Sequence, residues 1–500
     1  MVKKQLKCRT TGVPSIRPFQ STCSSDQLST EILTYIFKFG VEIFKQPKDS
    51  SAETSALTER PEFQEFPCAP LDTSFQDSVS KVCRRWRYVA LNMASLWNYV
   101  DFAEGMPYKR SLMYIERSKN APLDILIHAR HNNTDDRDGK RKINIFCLKR
   151  AMDIILPHLH RWRSFCFYAD DFCRMETLVG MLGSVGAATE LQTLCLHVSD
   201  TGYHRDGSYY PEEVEASRTI RIFGGQIPKL RSLWICRAFF SWKLSNIMQS
   251  NLVNLTAMHI FRHCAMSLAE FLNQLQFTPQ LRTLELYGYE FRDEESNGLY
   301  TSVTLPQLTC LNLSQGICHE DLVALLEHIT IPKLQSLGLN FVTMIYILRE
   351  LFATLLDRIP LENLAKLIVA PDIWWELGDW TDLVTEFCGR LKNTETLEII
   401  GDIAPYPMFL SAWETQEVFP RVSTLIVHDT ENTSAFREIV ERNSSRPLKR
   451  VISVEGPWDQ WEGESYSETL GSELGQCLSA EQLTRQSKLE CWGGPQVEYL

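Results

Sequence analysis

The chain has 500 residues, of which 44% are hydrophobic and 23% are charged, and its formal net charge is −11 at pH 7. This length predicts two or three domains or one long solenoid, because an ordinary domain holds about 100–200 residues. The negative charge argues against a general binder of nucleic acid or anionic membranes, since both need a positive field. We find neither an apolar run long enough for a membrane span nor a secretory signal, so we expect a cytoplasmic or nuclear protein.

In chain order, we expect residues 1–25 to be disordered and a first helix to begin near residue 26. Five apolar residues share one face of this helix: Leu28, Ile32, Leu33, Ile36 and Phe37. Ser29 can cap the helix, and the carboxylate of Glu31 suits its positive N-terminal end. The sequence therefore predicts an amphipathic helix over residues 26–37.

A stretch rich in Pro, Ser, Glu and Thr, residues 45–72, predicts an inserted loop. A second helix is predicted after it, because apolar residues return at helical spacing: Val79, Val82, Cys83, Trp86, Val89 and Ala90. The predicted exposed face of this helix is basic. A third short element contains Leu96 and Trp97.

These three elements resemble the F-box family. The family's first helix reads Leu-Pro-x-Glu-Ile-Leu-x-x-Ile-Phe, and residues 28–37 here read Leu-Ser-Thr-Glu-Ile-Leu-Thr-Tyr-Ile-Phe. Its later half commonly reads Val-Cys-x-x-Trp-Arg-x-x-Ala and then Leu-Trp, which matches residues 82–90 and 96–97. Residues 115–118 and 121–123 also resemble a segment that follows the F-box in many basidiomycete fungal members.

The resemblance covers residues 26–128. Within this range the sequence departs from the family pattern at two points. Ser29 replaces the usual Pro, and an insertion of about thirty residues separates the first two helices. Pro at this position is favoured without being required, and a longer loop adds little closure entropy. A plainer alternative is that the helices only cap the N-terminal end of a repeat array.

The resemblance implies a substrate receptor of a Skp–cullin–F-box ubiquitin ligase. In that family the F-box binds a Skp-type adaptor, and through it a cullin, while the repeats bind the target protein. Six residues map onto motif positions that either build the three-helix F-box-like domain, expected over residues 26–100, or face the adaptor: Leu28, Glu31, Ile32, Ile36, Val82 and Trp86. Of these, Val82 and Trp86 are expected chiefly in the core of the domain.

A repeat of the form apolar-x-x-apolar-x-apolar recurs after a connecting region at residues 101–155. It is read, for example, at Leu281-Leu284-Leu286 and Leu308-Leu311-Leu313, and from Leu230 onward successive copies are 25, 26, 27, 26, 30, 30, 28 and 26 residues apart. This period and pattern are those of the leucine-rich repeat. We therefore predict an α/β fold in which a leucine-rich-repeat solenoid (a horseshoe) over residues 156–455 follows the F-box-like domain. Residues 200–216 are expected to be an inserted loop, and residues 456–500 a tail or cap.

The variable positions beside the second and third apolar residues of each repeat project away from the core. They predict the surface that binds the target, which includes Trp234, His259, Phe261, Glu285, Tyr287 and Asn312. Our hypothesis is that Trp234, Phe261 and Tyr287 form one exposed aromatic patch, since exposed aromatic residues anchor interfaces. The alternative is that these rings pack against each other or beneath a loop.

Catalytic signatures are missing from the sequence: there is no Gly-x-Gly-x-x-Gly, no phosphate-binding Gly-Lys-Ser/Thr loop and no Gly-x-Ser-x-Gly. His158 and His160 lack a third candidate metal ligand nearby, and Cys318 beside His319 is a weak nucleophile–base pair because adjacent residues rarely meet. We therefore expect no enzyme activity, cofactor or metal.

The alternative to a ligase receptor is a leucine-rich-repeat scaffold without any link to ubiquitin.

Overall fold

A computed structural model describes fourteen segments of the chain: residues 28–45, 74–129, 145–169, 171–198, 220–238, 240–260, 265–292, 300–314, 317–340, 345–369, 381–400, 420–429, 450–455 and 476–478. The predictions made for residues 1–25, for residues 46–72 of the first predicted insertion, for the insertion at 200–216 and for most of 456–500 lie outside these segments. Lys45, where the first insertion was predicted to begin, is the last residue of a helix.

The α-helices of the described segments are α1 (Thr30–Lys45), α2 (Ser74–Val82), α3 (Arg84–Asn92), α4 (Lys109–Arg117), α5 (Ile145–Ile155), α6 (Phe172–Gly183), α7 (Trp242–Ser245), α8 (Leu268–Leu275), α9 (His319–His328), α10 (Ile345–Arg358) and α11 (Thr381–Arg390). Short 3₁₀ helices lie at Ala94–Leu96, Leu156–Arg161, Ile222–Gly225 and Leu361–Asn363.

The strands are β1 (Tyr99–Asp101), β2 (Leu123–Ala129), β3 (Trp162–Ala169), β4 (Thr193–Val198), β5 (Ser232–Cys236), β6 (Asn254–Met258), β7 (Thr283–Tyr287), β8 (Val303–Thr304), β9 (Cys310–Ser314), β10 (Ile329–Thr330), β11 (Ser336–Asn340), β12 (Lys366–Val369), β13 (Thr396–Ile400), β14 (Thr424–Asp429), β15 (Arg450–Glu455) and β16 (Gln476–Leu478).

One large sheet joins fourteen of these strands in the order in which they occur along the chain. Every neighbouring pair from β1 to β15 is parallel, and β16 closes the sheet antiparallel to β15. The strands β8 and β10 lie apart as a two-stranded parallel ribbon. The protein is therefore a mixed α/β structure built on a large parallel sheet, in which each strand pairs with the strands before and after it.

The apolar positions of the repeat stand in register across this sheet. Leu284 pairs with Leu311, and Leu286 pairs with Leu313, so equivalent residues form continuous apolar rows. Most buried apolar residues of the described helices belong to the same hydrophobic cluster as these rows. Because successive side chains of a strand point to opposite faces, the helices cover one face of the sheet and leave the other to the intervening residues.

Helix α9 is an example of the helices that connect one strand of the large sheet to the next. Its buried residues are Leu322, Val323, Leu325 and Leu326, and three of them, Leu322, Leu325 and Leu326, have the spacing of one helical face. Ile329, which follows the helix, is also buried but already belongs to β10. Helix α8 begins with a capping box, in which Ser267 and Glu270 satisfy each other's backbone N–H groups.

The sheet begins earlier than the repeat pattern predicts. The strands β1 and β2 lie before residue 156, where the sequence predicted the end of the F-box-like domain (26–100) and a connecting region (101–155). In the structure both strands belong to the large parallel sheet. The pattern misses β2 because Pro122 occupies the first apolar position, ahead of Ile125 and Ile127. The prediction of a sheet limited to residues 156–455 is therefore too narrow.

The single second helix predicted after residue 74 is two helices, α2 and α3. Cys83 interrupts them with an extended backbone (φ −155°, ψ 173°), and its sulfur accepts a hydrogen bond from the backbone N–H of Trp86. A residue in this conformation ends one helix and caps the next. The third element is confirmed: a 3₁₀ turn leads into Trp97, and both Leu96 and Trp97 are buried.

Candidate functional site

Helix α1 is fixed at its start by local hydrogen bonds and along its length by packing. The Ser29 hydroxyl accepts a hydrogen bond from the backbone N–H of Ile32 at 3.3 Å. Hydrogen bonds with Ser29 and with its own backbone hold the pKa of the Glu31 carboxyl below its usual range. Leu33 and Phe37 are fully buried, and the Phe37 ring meets the Trp86 ring edge-on, with centroids 5.1 Å apart.

The opposite side of α1 is apolar and exposed. Ile32, Tyr35, Ile36 and Phe39, which we call the α1 stripe, are between 41 and 70% exposed. They stand at positions i, i+3, i+4 and i+7, so they line up along one side of the helix. Large apolar side chains gathered on one exposed helical side are typical of a contact surface for another molecule.

The helices α2 and α3 add exposed apolar residues of their own. Val82 is 59% exposed, and Tyr88 and Leu91 are exposed too. The expectation that Val82 lies in the core is wrong, because Val82 ends α2 just where Cys83 turns the chain. Trp86 does pack against the core, as expected.

Leu28 is half-buried and packs against the main hydrophobic cluster. Its carbonyl oxygen accepts a hydrogen bond from the Arg85 guanidinium, which ties the entry of α1 to α3. Of the six residues expected in this region, the structure thus places Leu28 and Trp86 against the core and Glu31, Ile32, Ile36 and Val82 on the surface.

The predicted single apolar face of α1 is divided between the interior and the surface. Leu33 and Phe37 point inward, whereas Ile32 and Ile36, one residue earlier, remain exposed. Consecutive residues lie about 100° apart around a helix, so the boundary of the buried side runs between the two pairs. Tyr35 and Phe39 were missed because they fall outside the five-residue face; their signal was the i, i+3, i+4, i+7 spacing.

The face of the large sheet that the helices do not cover, which we call the second face, carries a separate apolar cluster. Trp234 is 7% exposed and packs in a group with Tyr168, Cys195 and Met258. Tyr287 is partly buried against this cluster. The hypothesis that Trp234 is an exposed aromatic is therefore wrong, since this ring is packed within the cluster. Phe261 lies outside the described residues.

A row of polar side chains continues along the same face beyond Trp234. The Glu285 carboxylate accepts hydrogen bonds from the Thr256 hydroxyl at 2.8 Å and from the Asn312 amide nitrogen at 2.9 Å. Asn312 is almost fully buried, and the next position in the row is Gly338, where a Cβ would stand 2.3 Å from the Asn312 Oδ1 atom. The glycine therefore makes room for the amide.

His259 follows β6 with a left-handed backbone (φ 49°), and its N–H donates to the Tyr287 carbonyl at 2.6 Å. The side chains of His259, Glu285 and Tyr287 are half-buried. The structure thus brings the predicted residues Trp234, His259, Glu285, Tyr287 and Asn312 to neighbouring strands, but as a packed and hydrogen-bonded surface.

No family model matches this chain, and a search of curated proteins finds none that is similar. Within the described segments, no helix has the length and apolar character needed to cross a membrane. Among the same residues, no three His, Cys, Asp or Glu side chains are grouped in a way that could hold a metal ion.

Proposed function

We propose that this protein is a substrate receptor of a Skp–cullin–F-box type ubiquitin ligase, in which helices α1 to α3 bind a Skp-type adaptor. The observation that carries the proposal is the α1 stripe: four large apolar side chains exposed along one side of a helix whose other side is buried. This stripe falls within residues 28–37 and just beyond, where the sequence resembles the first F-box helix.

The α1 stripe has the dimensions of a helix docked into a partner. From Ile32 to Phe39 it spans about 10 Å at the helical rise of 1.5 Å per residue. Removing a large aliphatic or aromatic side chain from water contributes about 1.5–3 kcal/mol, so burial of half-exposed residues still supplies a few kcal/mol to a complex. The packing of Phe37 on Trp86 would hold the stripe rigid against α3.

The parallel sheet supports the second half of the proposal, a leucine-rich-repeat solenoid that binds the target. Strands paired strictly in chain order, with apolar rows in register, are what stacked repeats of 25 to 30 residues require. The face away from the helices would then be the concave surface. Its half-buried residues His259, Glu285 and Tyr287 are the best candidates for target contact, with Trp234 and Asn312 supporting them from within.

The test is complex formation between the full chain and a recombinant Skp-type adaptor, measured by gel filtration and calorimetry. The wild-type protein should bind, and I32E/I36E should abolish binding because two charges would have to enter an apolar interface. The matched control is L244E/F277E, which changes two equally exposed apolar residues outside the three helices and should bind normally. Failure of the wild-type chain to bind any such adaptor, or binding by I32E/I36E, would contradict the proposal and favour a scaffold.

A further inference from the structure

A groove of about 650 Å³ lies along α4, and none of the residues that line it belongs to the α1 stripe or to the second face of the sheet. One wall is α4 itself, and the other is the 3₁₀ turn Leu156–Arg161. These two elements lead into the neighbouring strands β2 and β3. Leu112, which is exposed, and Met113 give the groove apolar surface.

The groove is positively charged in a protein whose overall charge is negative. Lys109, Lys119 and Arg161 line it, against a single carboxylate, Glu116. Both lysines are exposed, and no carboxylate of the described residues lies within ion-pair distance of either ammonium group. Two cations, Lys109 at the start of α4 and Lys119 in the turn that follows it, therefore remain available to an external anion.

Arg161 adds a fixed charge at the wall of the groove. The residue is 6% exposed, and its guanidinium donates to the Ser118 hydroxyl at 2.9 Å, the Ala121 carbonyl at 3.0 Å and the Ile115 carbonyl at 3.2 Å. All three acceptors are neutral, so no counter-ion compensates the charge. A guanidinium carries five N–H donors, which leaves two beyond these bonds.

His158 does not change this balance at neutral pH. Burial, followed by the nearby Arg161 charge, lowers the pKa of its imidazole below the ordinary value of 6.5. The ring is therefore uncharged at pH 7.5, and the groove keeps three cations against one carboxylate.

We propose that this groove binds a short acidic peptide of a partner protein in an extended conformation. Lys109 begins α4 and Lys119 stands two residues past its end, so the two cations lie on either side of a nine-residue helix. At the helical rise of 1.5 Å per residue α4 is about 13 Å long, and an extended peptide covers that distance in about four residues. The fitting sequence has acidic residues at both ends and apolar residues between them, over Leu112 and Met113. The apolar surface between the cations is unfavourable for a nucleic-acid backbone, which carries a charge at every nucleotide.

The groove is independent of the adaptor surface, so its test does not depend on the ligase proposal. The probe is the fluorescein-labelled peptide Asp-Glu-Leu-Leu-Glu-Asp, and its binding to the full chain is followed by fluorescence anisotropy at low salt, where exposed charges act most strongly. The comparison peptide is Asn-Gln-Leu-Leu-Gln-Asn, which keeps shape and apolar content without charge. The acidic peptide should bind at least about tenfold more tightly than the amide peptide.

The protein variants locate the site. K109E/K119E reverses both free cations and should weaken binding of the acidic peptide by about tenfold or more. R349E/K392E makes the same change of net charge at two exposed positions near the far end of the sheet, and should leave binding unchanged. Unchanged binding by K109E/K119E, equal losses in both variants, equal binding of the two peptides, or no binding to the wild-type chain at millimolar peptide would each overturn the proposal.

Discussion

Replacement of Gly40 by alanine tests whether close packing between α1 and α2 positions the α1 stripe. Gly40 lies within α1, where alanine is intrinsically favoured by about 1 kcal/mol. A Cβ at this position, however, would stand 2.2 Å from the Phe75 Cζ atom and 2.8 Å from the two adjacent ring carbons. Propensity and packing thus predict opposite signs for the same substitution.

The size of the packing cost follows from these distances. The nearest approach is about 1.2 Å short of ordinary carbon contact, so the Phe75 ring or the whole of α1 must move. Overpacking of this kind typically costs about 1–3 kcal/mol. After the gain in helix propensity, we expect G40A to leave the stability of α1 unchanged or to lower it by up to about 2 kcal/mol.

Gly180 provides the matched control. It lies inside α6, is exposed, and a Cβ there would meet nothing within 4 Å. G180A should therefore stabilise its helix by about 1 kcal/mol. The assay is native-state hydrogen exchange by mass spectrometry, because it reports the opening free energy of each helix separately in a chain too large to unfold in one step.

The two variants should differ by about 1–3 kcal/mol, which corresponds to a difference in amide protection of roughly 5- to 150-fold. A second variant, F75L, removes the obstructing ring, and in that background G40A should become stabilising. If G40A in the wild-type background raised protection of α1 as much as G180A raises protection of α6, the packing argument would be refuted.

Three further predictions concern other parts of the fold. R161A should lower the free energy of unfolding by about 2–4 kcal/mol in urea titrations, because buried carbonyl groups lose their donor, and R161K should recover only part of it since lysine lacks the planar fork. G338A should cost about 1–2 kcal/mol by displacing the Asn312 amide, and the double variant G338A/N312A should be less destabilised than the sum of the two single changes; strict additivity would argue against the contact. Burial raises the pKa of the Cys195 thiol to about 12, so this thiol stays protonated at pH 8. Iodoacetamide should therefore alkylate the exposed Cys173 and leave Cys195 unmodified, which mass spectrometry can check.

Much of the sheet could be predicted from the sequence, because the repeated spacing of apolar residues favours one arrangement of parallel strands. Leu284, Leu286, Leu311 and Leu313 recur at a constant interval, and stacking equivalent residues in parallel register buries all of them together. The pattern missed β2, where Pro122 occupies its first position. The break between α2 and α3 also escaped, since a cysteine cap has no distinctive sequence signal.

The candidate surfaces depend on contacts that a linear pattern does not contain. Periodicity placed Ile36 and Phe37 on one face of α1, but the neighbouring α3, through Trp86, covers Phe37 and leaves Ile36 in solvent. In the same way, alternation along β5 placed Trp234 on the second face of the sheet, and the side chains of adjacent strands then buried it there.

The sequence by itself determined the α/β class, the apolar rows of the sheet and the amphipathic character of α1, because these follow from spacing along the chain and from the directions that a helix or strand imposes on its side chains. Only the tertiary structure decided which apolar residues of α1 stay exposed, and which charges line the groove beside α4. Burial is set by the elements that pack against a residue, and Arg161 meets α4 only through contacts with residues about forty positions away.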